Sequence, residues 1–348
     1  MSTIRANTIQ DASGGSAAQL FGVASPPNSM GFRNRIINGA MVIDQRNNGA
    51  SVTLANAANT FPVDRFQFYK DNTSATVTGQ QSSVAPTGFN NSLLVSVTTG
   101  AASSAAQELV MYQNIEGFNV ADLGFGAAGA SSITLSFWVR SSVTGTFGAA
   151  ISNNGATRTY IFTYTVSAAN TWEQKTITIP GDTTGTWLKT NGNGLGIKFD
   201  LGSGSNYNGT AGSWTTGNIY SVSGATKVMA TTGATFYITG VQLEAGTVAS
   251  PFERRDYGRE LMMCQRYYEE CGNSAFLAQA NATTVMTRSF LVQKRTTPTL
   301  TFKAAGFTLN IASSSVNTLG ADAYRLVVTT NATGNGEWNG IHSVSAEL

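Results

Sequence analysis

Few side chains in this sequence could act as nucleophiles, bases or metal ligands. The chain has one histidine, His342, which lies in the final segment NGIHSVSAEL. A Ser-His-Asp triad could therefore use only His342, and its position near the end of the chain favours a terminal strand or an interface. No His and Cys residues have the spacing of a zinc site. We expect neither a bound metal nor a cofactor.

The two cysteines, Cys264 and Cys271, are seven residues apart. On one helix this spacing would separate their Cα atoms by roughly 10 Å, whereas a disulfide requires less than about 7 Å. We therefore expect two free thiols.

Carboxylates are the remaining groups that could be catalytic, because glycoside hydrolysis commonly uses two of them. Those between residues 39 and 250 include Asp64, Asp71, Glu108, Glu116, Asp122, Glu173, Asp182, Asp200 and Glu244. None lies in a recognisable acid/base motif, so we expect no enzymatic activity. Asp64 and Glu244 lie near the first and last predicted strands and could share a calcium ion. Solvated surface carboxylates are the alternative interpretation.

Aromatic residues in or beside turn-rich segments are candidates for sugar binding. Flat aromatic faces can stack on pyranose rings while nearby Asn, Asp, Gln and Arg side chains bind the hydroxyl groups. The candidates for a glycan site are Trp172, Trp187, Tyr207 and Trp214. Packing in the core or at an interface is the alternative for each. Trp138 lies in a strong strand pattern, and we expect it in the core.

Composition argues against several classes of protein. Charged residues make up only 11% of the 348 residues, and the formal net charge is +2. We expect no nucleic-acid partner, because phosphate binding needs clustered Lys and Arg. No stretch approaches 18 consecutive apolar residues, so we expect no membrane insertion. The first residues, MSTIRANTIQDASGG, lack the charged start and apolar stretch of a signal peptide.

The pattern of apolar residues predicts a mainly β chain. An extended N-terminal arm is expected over residues 1–38 and a jelly-roll β-sandwich over residues 39–250, because many short period-two stretches are separated by turn residues. The clearest stretches are 66–70, 93–97, 133–139, 160–166, 175–179, 195–199 and 235–241. Residues 273–348 return to this pattern and predict a smaller C-terminal β-sandwich domain.

Residues 251–272 break the β pattern and predict a linking helix. SPFE, at residues 250–253, fits a capping box, and Asp256 is an alternative start. The spacing 4-3-4-3 is the a/d seam of a short coiled coil, and it relates Tyr257, Leu261, Cys264, Tyr268 and Cys271. We predict that these five residues form a trimer interface. The alternative is an amphipathic helix packed on its own sandwich.

Three parts of the sequence carry a resemblance to a known class of proteins. They are STIRANTIQDA at residues 2–12; FRNRIINGAMVIDQR at 32–46 with VDRF at 63–66; and ITGVQLEAG at 238–246 with PFERR at 251–255 and CQRYY at 264–268. These stretches resemble fibre and other structural proteins of tailed-bacteriophage virions, especially marine and cyanobacterial phages. QNIEG, SFWVR and WEQKTITIP, which begin at residues 113, 136 and 172, are similar to carbohydrate-binding-module jelly rolls in such proteins.

Fibres of this kind are usually homotrimers attached through the N-terminus, with host-facing distal domains. The resemblance therefore implies a homotrimer in the virion, anchored to other virion proteins through residues 1–38. Our leading hypothesis is a non-enzymatic tail fibre that binds a host cell-surface glycan. A purely structural virion component, such as a head fibre, tail-tip or adaptor protein, is the first alternative. A glycan-cleaving virion enzyme is the second.

Overall fold

The structure is a computed structural model that describes residues 19–20, 23–24, 32–304, 308–318 and 320–348. The predicted N-terminal arm, residues 1–38, lies largely outside these residues. Within it, Gln19–Leu20 (β1) pairs antiparallel with Val23–Ala24 (β2).

The strands of the large domain follow in chain order. They are β3 (Val52–Thr53), β4 (Ala58–Val63), β5 (Phe66–Lys70), β6 (Thr76–Ser82), β7 (Ser92–Thr99), β8 (Leu109–Glu116), β9 (Ile133–Ser141), β10 (Gly145–Ser152), β11 (Thr159–Val166), β12 (Glu173–Ile179), β13 (Asn193–Asp200), β14 (Trp214–Thr215) and β15 (Thr235–Ala245). Short 3-10 helices span Gly117–Asn119, Ala121–Leu123, Asn154–Ala156, Ser205–Tyr207 and Val228–Ala230. All seven clearest predicted stretches lie within observed strands.

These strands form two large antiparallel sheets. A seven-stranded sheet has the order β14-β11-β10-β13-β8-β5-β4, and a six-stranded sheet has the order β12-β9-β15-β7-β6-β3. Side chains from both sheets meet in one apolar core. For example, Phe137 of β9 and Phe199 of β13 have ring centroids 5.2 Å apart. The prediction of a mainly β sandwich is confirmed.

Residues 32–38, which we assigned to the arm, instead pack into the sandwich. The buried side chain of Asn34 donates to the Val241 carbonyl (3.1 Å) and accepts from the Leu243 amide (3.1 Å), both on β15. Asn38 is also buried, and its side chain donates to the carbonyls of Ile43 (2.8 Å) and Asp64 (2.9 Å). Buried amides require such partners, so this segment is held in place by the sandwich itself.

The linking helix is shorter than predicted. It spans Tyr257–Gln265 (α1), and the Asp256 side chain caps it by accepting from the Arg259 amide at 2.9 Å. The start at Asp256 is therefore confirmed. The Ser250 hydroxyl donates to Glu244 (2.5 Å) on β15 and does not cap the helix.

The C-terminal domain consists of two smaller sheets. Its strands are β16 (Tyr268–Ala278), β17 (Thr283–Ser289), β18 (Thr299–Ala304), β19 (Thr308–Leu309), β20 (Ile311–Thr318), β21 (Ala323–Thr330) and β22 (Gly334–Ser345). One sheet has the order β16-β22-β18, with β19 also paired to β22, and the other has the order β17-β21-β20. Leu326, Val328 and Trp338 contribute to the apolar core of this domain.

The end of the chain returns to the large domain. The Glu347 carboxylate, which is largely shielded from solvent, pairs with Arg46 (2.9 Å) and with Arg65. The guanidinium of Arg295 donates to the carbonyls of Ala346 and Glu347, both at 2.9 Å. The pairs with Arg46 and Arg65 join the C-terminal segment to the sandwich, while Arg295 holds the same segment on its own domain.

Candidate functional site

A groove lies on the outer face of the seven-stranded sheet, the face turned away from the core. Its volume is about 420 Å³. We call it the tyrosine groove, and its lining residues are Tyr69, Glu108, Val110, Tyr112, Asn114, Ser152, Asn153, Gly155, Ala156, Asn193, Lys198, Asn218 and Tyr220. Volumes of about 300–1,000 Å³ are usual for small-molecule sites, so the groove can hold one or more sugar rings.

Strand alternation puts these side chains on the outer face, because successive residues of a strand point to opposite sides of the sheet. On β8, Leu109 and Met111 enter the core, while Val110, Tyr112 and Asn114 line the groove. On β13, Ile197 and Phe199 are core residues, whereas Lys198 lies in the groove.

Register then brings the groove residues together across strands. Lys198 is paired with Tyr112 on β8 and with Ala150 on β10. Two residues before Lys198 on β13, Gly196 is paired with Asn114 on β8 and with Ser152 on β10. A Cβ atom on Gly196 would approach the Asn114 Oδ1 atom to 2.8 Å. Glycine therefore gives the groove a low floor on which the Asn114 amide lies.

Tyrosines and carbonyl-bearing side chains form the walls. The Tyr112 hydroxyl donates to Asn59 Oδ1 at 2.8 Å. Burial raises the pKa of Tyr112 to about 12, so its hydroxyl keeps its proton at neutral pH. The Tyr220 ring is covered from behind by Tyr207, with ring centroids 5.0 Å apart. Aromatic faces and polar tips thus alternate along the groove.

Two charged groups lie in the groove. The Glu108 carboxylate accepts a hydrogen bond from the Tyr220 hydroxyl, and burial raises its pKa above the usual range. The Lys198 ammonium donates to Asn218 Oδ1 at 2.5 Å, and burial lowers the pKa of Lys198 to about 8. Lys198 is therefore mostly protonated at neutral pH.

Only Tyr207 of the four predicted glycan-binding residues lies beside this groove. Its hydroxyl donates to the Ala106 carbonyl (2.9 Å), and its ring supports Tyr220 without lining the groove.

Trp187 and Trp214 belong to an aromatic cluster at the edge of the core. Trp187 is 8% exposed, and its ring packs edge-to-face against Phe125 (4.8 Å) and Trp214 (5.6 Å). Its Nε1–H donates to Asp182 Oδ2 (3.2 Å), while the Trp214 Nε1–H donates to the Pro180 carbonyl (2.9 Å). These contacts are the packing alternative that the sequence left open.

Trp172 lies on the other side of the molecule. It is half-buried against Tyr237 (6.1 Å between ring centroids) on the outer face of the six-stranded sheet, where Arg140 covers Tyr237. Trp138 shares this outer face, since its neighbours Phe137 and Val139 are the core residues of β9. The prediction that Trp138 is a core residue is therefore wrong.

The residues that line the groove were missed as glycan-binding residues, although a signal was present. Tyr69, Tyr112 and Lys198 alternate along their strands with core residues such as Phe68, Met111 and Ile197. Their convergence required the strand order, which places β5, β8 and β13 side by side.

The predicted helical seam for trimerisation is wrong beyond Cys264. Tyr257 is 64% exposed, and Leu261 packs with Ile37, Ile43 and Cys264 of its own chain. Tyr268 and Cys271 lie on β16, where they pair with Ser345 and His342 of β22. The five residues therefore share no helical face, because strand pairing begins at Tyr268, three residues after the helix ends at Gln265. The trimer itself stays a prediction.

The other residues that the sequence offered for catalysis or metal binding are the two cysteines, His342, Asp64 and Glu244. Cys264 and Cys271 are free thiols, as predicted. His342 lies on β22 and stacks on Trp338 (4.8 Å between ring centroids). Asp64 pairs with Arg46 (3.5 Å), whereas Glu244 accepts from Gln242 (2.9 Å).

The described part of the chain contains no cluster of three or more His, Cys, Asp or Glu side chains arranged to hold a metal ion. Nor does this part contain a helix that is both long and apolar enough to cross a membrane.

The chain is thus a two-sheet antiparallel sandwich with a groove on one outer face. No protein-family model and no curated protein matches it. Its sandwich is structurally similar to carbohydrate-binding modules and to one phage tailspike domain.

One similar structure is the enzymatically active domain of tailspike protein 4 of bacteriophage CBA120, with 13% identity and a TM-score of 0.33; the match covers 61% of this chain and only 21% of the tailspike chain. A second is the family 11 carbohydrate-binding module of Clostridium thermocellum in complex with a β-1,3-1,4-mixed-linked tetrasaccharide. That match has 12% identity and a TM-score of 0.28 over 58% of this chain and 98% of the module. A third, TmCBM61 in complex with β-1,4-galactotriose, has 10% identity and a TM-score of 0.31 over 62% of this chain and 99% of that chain. At such values the similarity says nothing about the ligand of this chain.

Proposed function

We propose that this protein binds a glycan in the tyrosine groove, and that it does so as a non-enzymatic fibre of a tailed-phage virion. The observation that carries the binding proposal is the groove itself. Tyr69, Tyr112 and Tyr220 supply ring faces beside the amides of Asn114 and Asn218. Sugar rings offer apolar C–H faces and a rim of hydroxyls, and this mixture of aromatic and polar side chains complements both.

Binding without cleavage is favoured by the carboxylates of the groove. Among its described lining residues Glu108 is the single carboxylate, and it is engaged by Tyr220. Glycoside hydrolysis by the common mechanisms uses two carboxylates on either side of the scissile bond. Reducing-end release from a bound glycan would overturn this part of the proposal.

The virion role is supported by the sequence resemblance of residues 2–12, 32–46 and 238–268 to phage fibre proteins. In a homotrimer, three identical grooves would gain avidity from a host surface that repeats the same glycan. Light scattering on the native protein should then give three times the 36.5 kDa chain mass. A mass of one chain would contradict the trimer, and immunogold labelling of intact virions tests the location.

The binding experiment compares two aromatic variants on opposite faces of the sandwich. Purified protein is screened on a glycan array, and the affinity for the strongest glycan is measured by calorimetry. Tyr112→Ala should lower that affinity about tenfold or more, because one stacking face is lost. Trp172→Ala is the control, since Trp172 lies on the six-stranded sheet.

Three outcomes decide the proposal. A loss confined to Tyr112→Ala, with an unchanged melting temperature, supports the groove. A loss confined to Trp172→Ala moves the site to the opposite face. If no glycan binds and the protein fails to block phage adsorption, the purely structural virion role replaces glycan binding.

A further inference from the structure

We propose that the glycan bound in the tyrosine groove carries an anionic group, a carboxylate or a sulfate, that pairs with Lys198. This inference rests on the proposed glycan-binding function and specifies the substrate class. It follows from the position of Lys198, from its bonding partners, and from the way in which the neighbouring carboxylate is engaged.

Lys198 lies at the centre of the sheet. Its strand, β13, is the fourth of the seven strands, between β10 and β8. The residue opposite it on β10 is the small Ala150, and the residue opposite it on β8 is Tyr112. A ligand lying across the groove would therefore pass over the Lys198 ammonium between a low floor and a tyrosine wall.

The Lys198 ammonium has incomplete partners. It donates to Asn218 Oδ1 (2.5 Å) and lies 5.5 Å from the centre of the Tyr220 ring. An ammonium has three N–H donors, so two remain for a ligand. In the described parts of the chain, no carboxylate lies within ion-pairing distance of Lys198, whereas Lys175, Lys227, Lys294 and Lys303 are each paired.

Glu108 is the carboxylate of the groove that could form an ion pair with Lys198, but it is hydrogen-bonded to Tyr220 instead. Its carboxylate accepts from the Tyr220 hydroxyl, and its residue is 9% exposed. Burial raises the pKa of Glu108 and lowers that of Lys198, which indicates that both charges are poorly solvated. The Glu108 charge partly offsets the effect of burial on the pKa of Lys198, but it does not pair with the ammonium directly. A partly buried cation is costly, and an anionic ligand group would supply a direct partner.

Charge-assisted hydrogen bonds are about twice as strong as neutral ones. Recognition of an anionic group by Lys198 therefore predicts a clear difference in affinity between acidic and neutral glycans. A neutral sugar would offer only hydroxyl acceptors to the same ammonium.

The test uses a glycan array that carries uronate-bearing, sulfated and neutral oligosaccharides. The strongest acidic glycan is then compared with its carboxyl-reduced or desulfated counterpart by calorimetry. The wild-type protein should bind the acidic form about tenfold more tightly. The separate uronate and sulfate arms identify which anion is used.

Variants assign the preference to Lys198. Lys198→Gln should remove most of the preference, measured as the ratio of its affinities for the acidic glycan and for the neutral counterpart. Lys198→Arg should retain the preference, because it keeps the charge. Lys189→Gln makes the same charge change at an exposed position outside the groove and should leave the preference intact.

The inference fails, and glycan binding stands, if neutral glycans dominate the array or if Lys198→Gln leaves the preference unchanged. If Lys189→Gln removes the preference as fully as Lys198→Gln, attraction by overall charge replaces recognition in the groove. If no glycan binds at all, the inference and the proposed function fall together.

Discussion

Arg266, just after the helix, forms a two-point ion pair with Glu116 at the end of β8. Arg266 Nε lies 2.9 Å from Glu116 Oε2, and Nη2 lies 2.6 Å from Oε1. The Tyr267 hydroxyl donates to the same carboxylate at 2.9 Å. Glu116 is 1% exposed. The pair therefore fixes the segment between the helix and β16 against the sandwich.

Loss of this pair should destabilise the fold. Arg266→Met leaves the buried Glu116 carboxylate with one partner fewer, and we expect unfolding free energy to fall by about 3 kcal/mol. The measurement is chemical denaturation at neutral pH. Arg259→Met is the matched control, because Arg259 is an exposed helix residue, and it should change stability by less than about 0.5 kcal/mol. Equal effects of the two variants would contradict the anchoring role.

The floor of the tyrosine groove should be sensitive to one methyl group. Gly196→Ala would place a Cβ atom 2.8 Å from Asn114 Oδ1, which forces the amide to move. We expect the glycan affinity to fall about three- to tenfold, equivalent to one hydrogen bond, with an unchanged fold by circular dichroism. Gly129→Ala is the control, since nothing lies within 4 Å of its Cβ position. Unchanged affinity in Gly196→Ala would argue against the groove as the binding site.

Trp187 should matter for stability and not for binding. Trp187→Phe removes the hydrogen bonds to Asp182 Oδ2 and to the Thr184 carbonyl, both 3.2 Å long. We expect a loss of about 1–3 kcal/mol, because a buried acceptor loses its donor, and an unchanged glycan affinity. Trp172→Phe, on the other face, should leave the melting temperature nearly unchanged. A variant of Trp187 that folds normally but no longer binds would restore the original prediction for this residue.

Asp64 should make stability depend on pH. Burial raises its pKa to about 6, although Arg46 opposes the shift, whereas an unfolded Asp has a pKa of about 3.9. The folded state therefore holds the proton more tightly. This contribution is fully present below about pH 4 and is lost as pH rises through about 6.

The size of this effect is at most about 3 kcal/mol for a two-unit shift. Asp64→Asn cannot ionise, so its unfolding free energy should lack this fall between about pH 4 and 6. Urea denaturation of both proteins across that window is the measurement. An identical pH profile for the variant would show that Asp64 does not titrate as described.

The two thiols should resist labelling in the folded protein. Cys264 is fully buried, and burial raises the pKa of its thiol well above the usual range. Burial also raises the pKa of Cys271 to about 12. Because the thiolate is the reactive form, a thiol reagent at about pH 8 should label both cysteines only after denaturation. Rapid labelling of the native protein would contradict the full burial of Cys264 and the raised pKa of Cys271.

Much of the architecture followed from local pattern. Period-two stretches such as 133–139 and 160–166 predicted strands, because one apolar face must be buried. Of the segments that carry the resemblance, those at residues 32–46 and 238–268 have a structural role that the sequence did not reveal. Asn34 bonds to β15, Arg255 donates to the Ile36 carbonyl (3.0 Å), and Gln45 donates to the Tyr268 carbonyl (2.9 Å). These segments therefore meet at one junction between the sandwich, the helix and β16.

The sequence alone determined the mainly β class, because the alternation of apolar residues depends on neighbours in the chain. It also predicted two free thiols, and it offered Asp256 as one of two possible starts of the helix. Only the tertiary structure decided where the helix ends and where the groove lies. Tyr268 and Cys271 fit a helical spacing, yet pairing with β22 satisfies their backbone groups and makes them a strand. Tyr69, Tyr112, Lys198 and Tyr220 are far apart in the chain. They share one groove because the strand order places β5, β8 and β13 side by side and the segment after β14 adds Tyr220 to the lining.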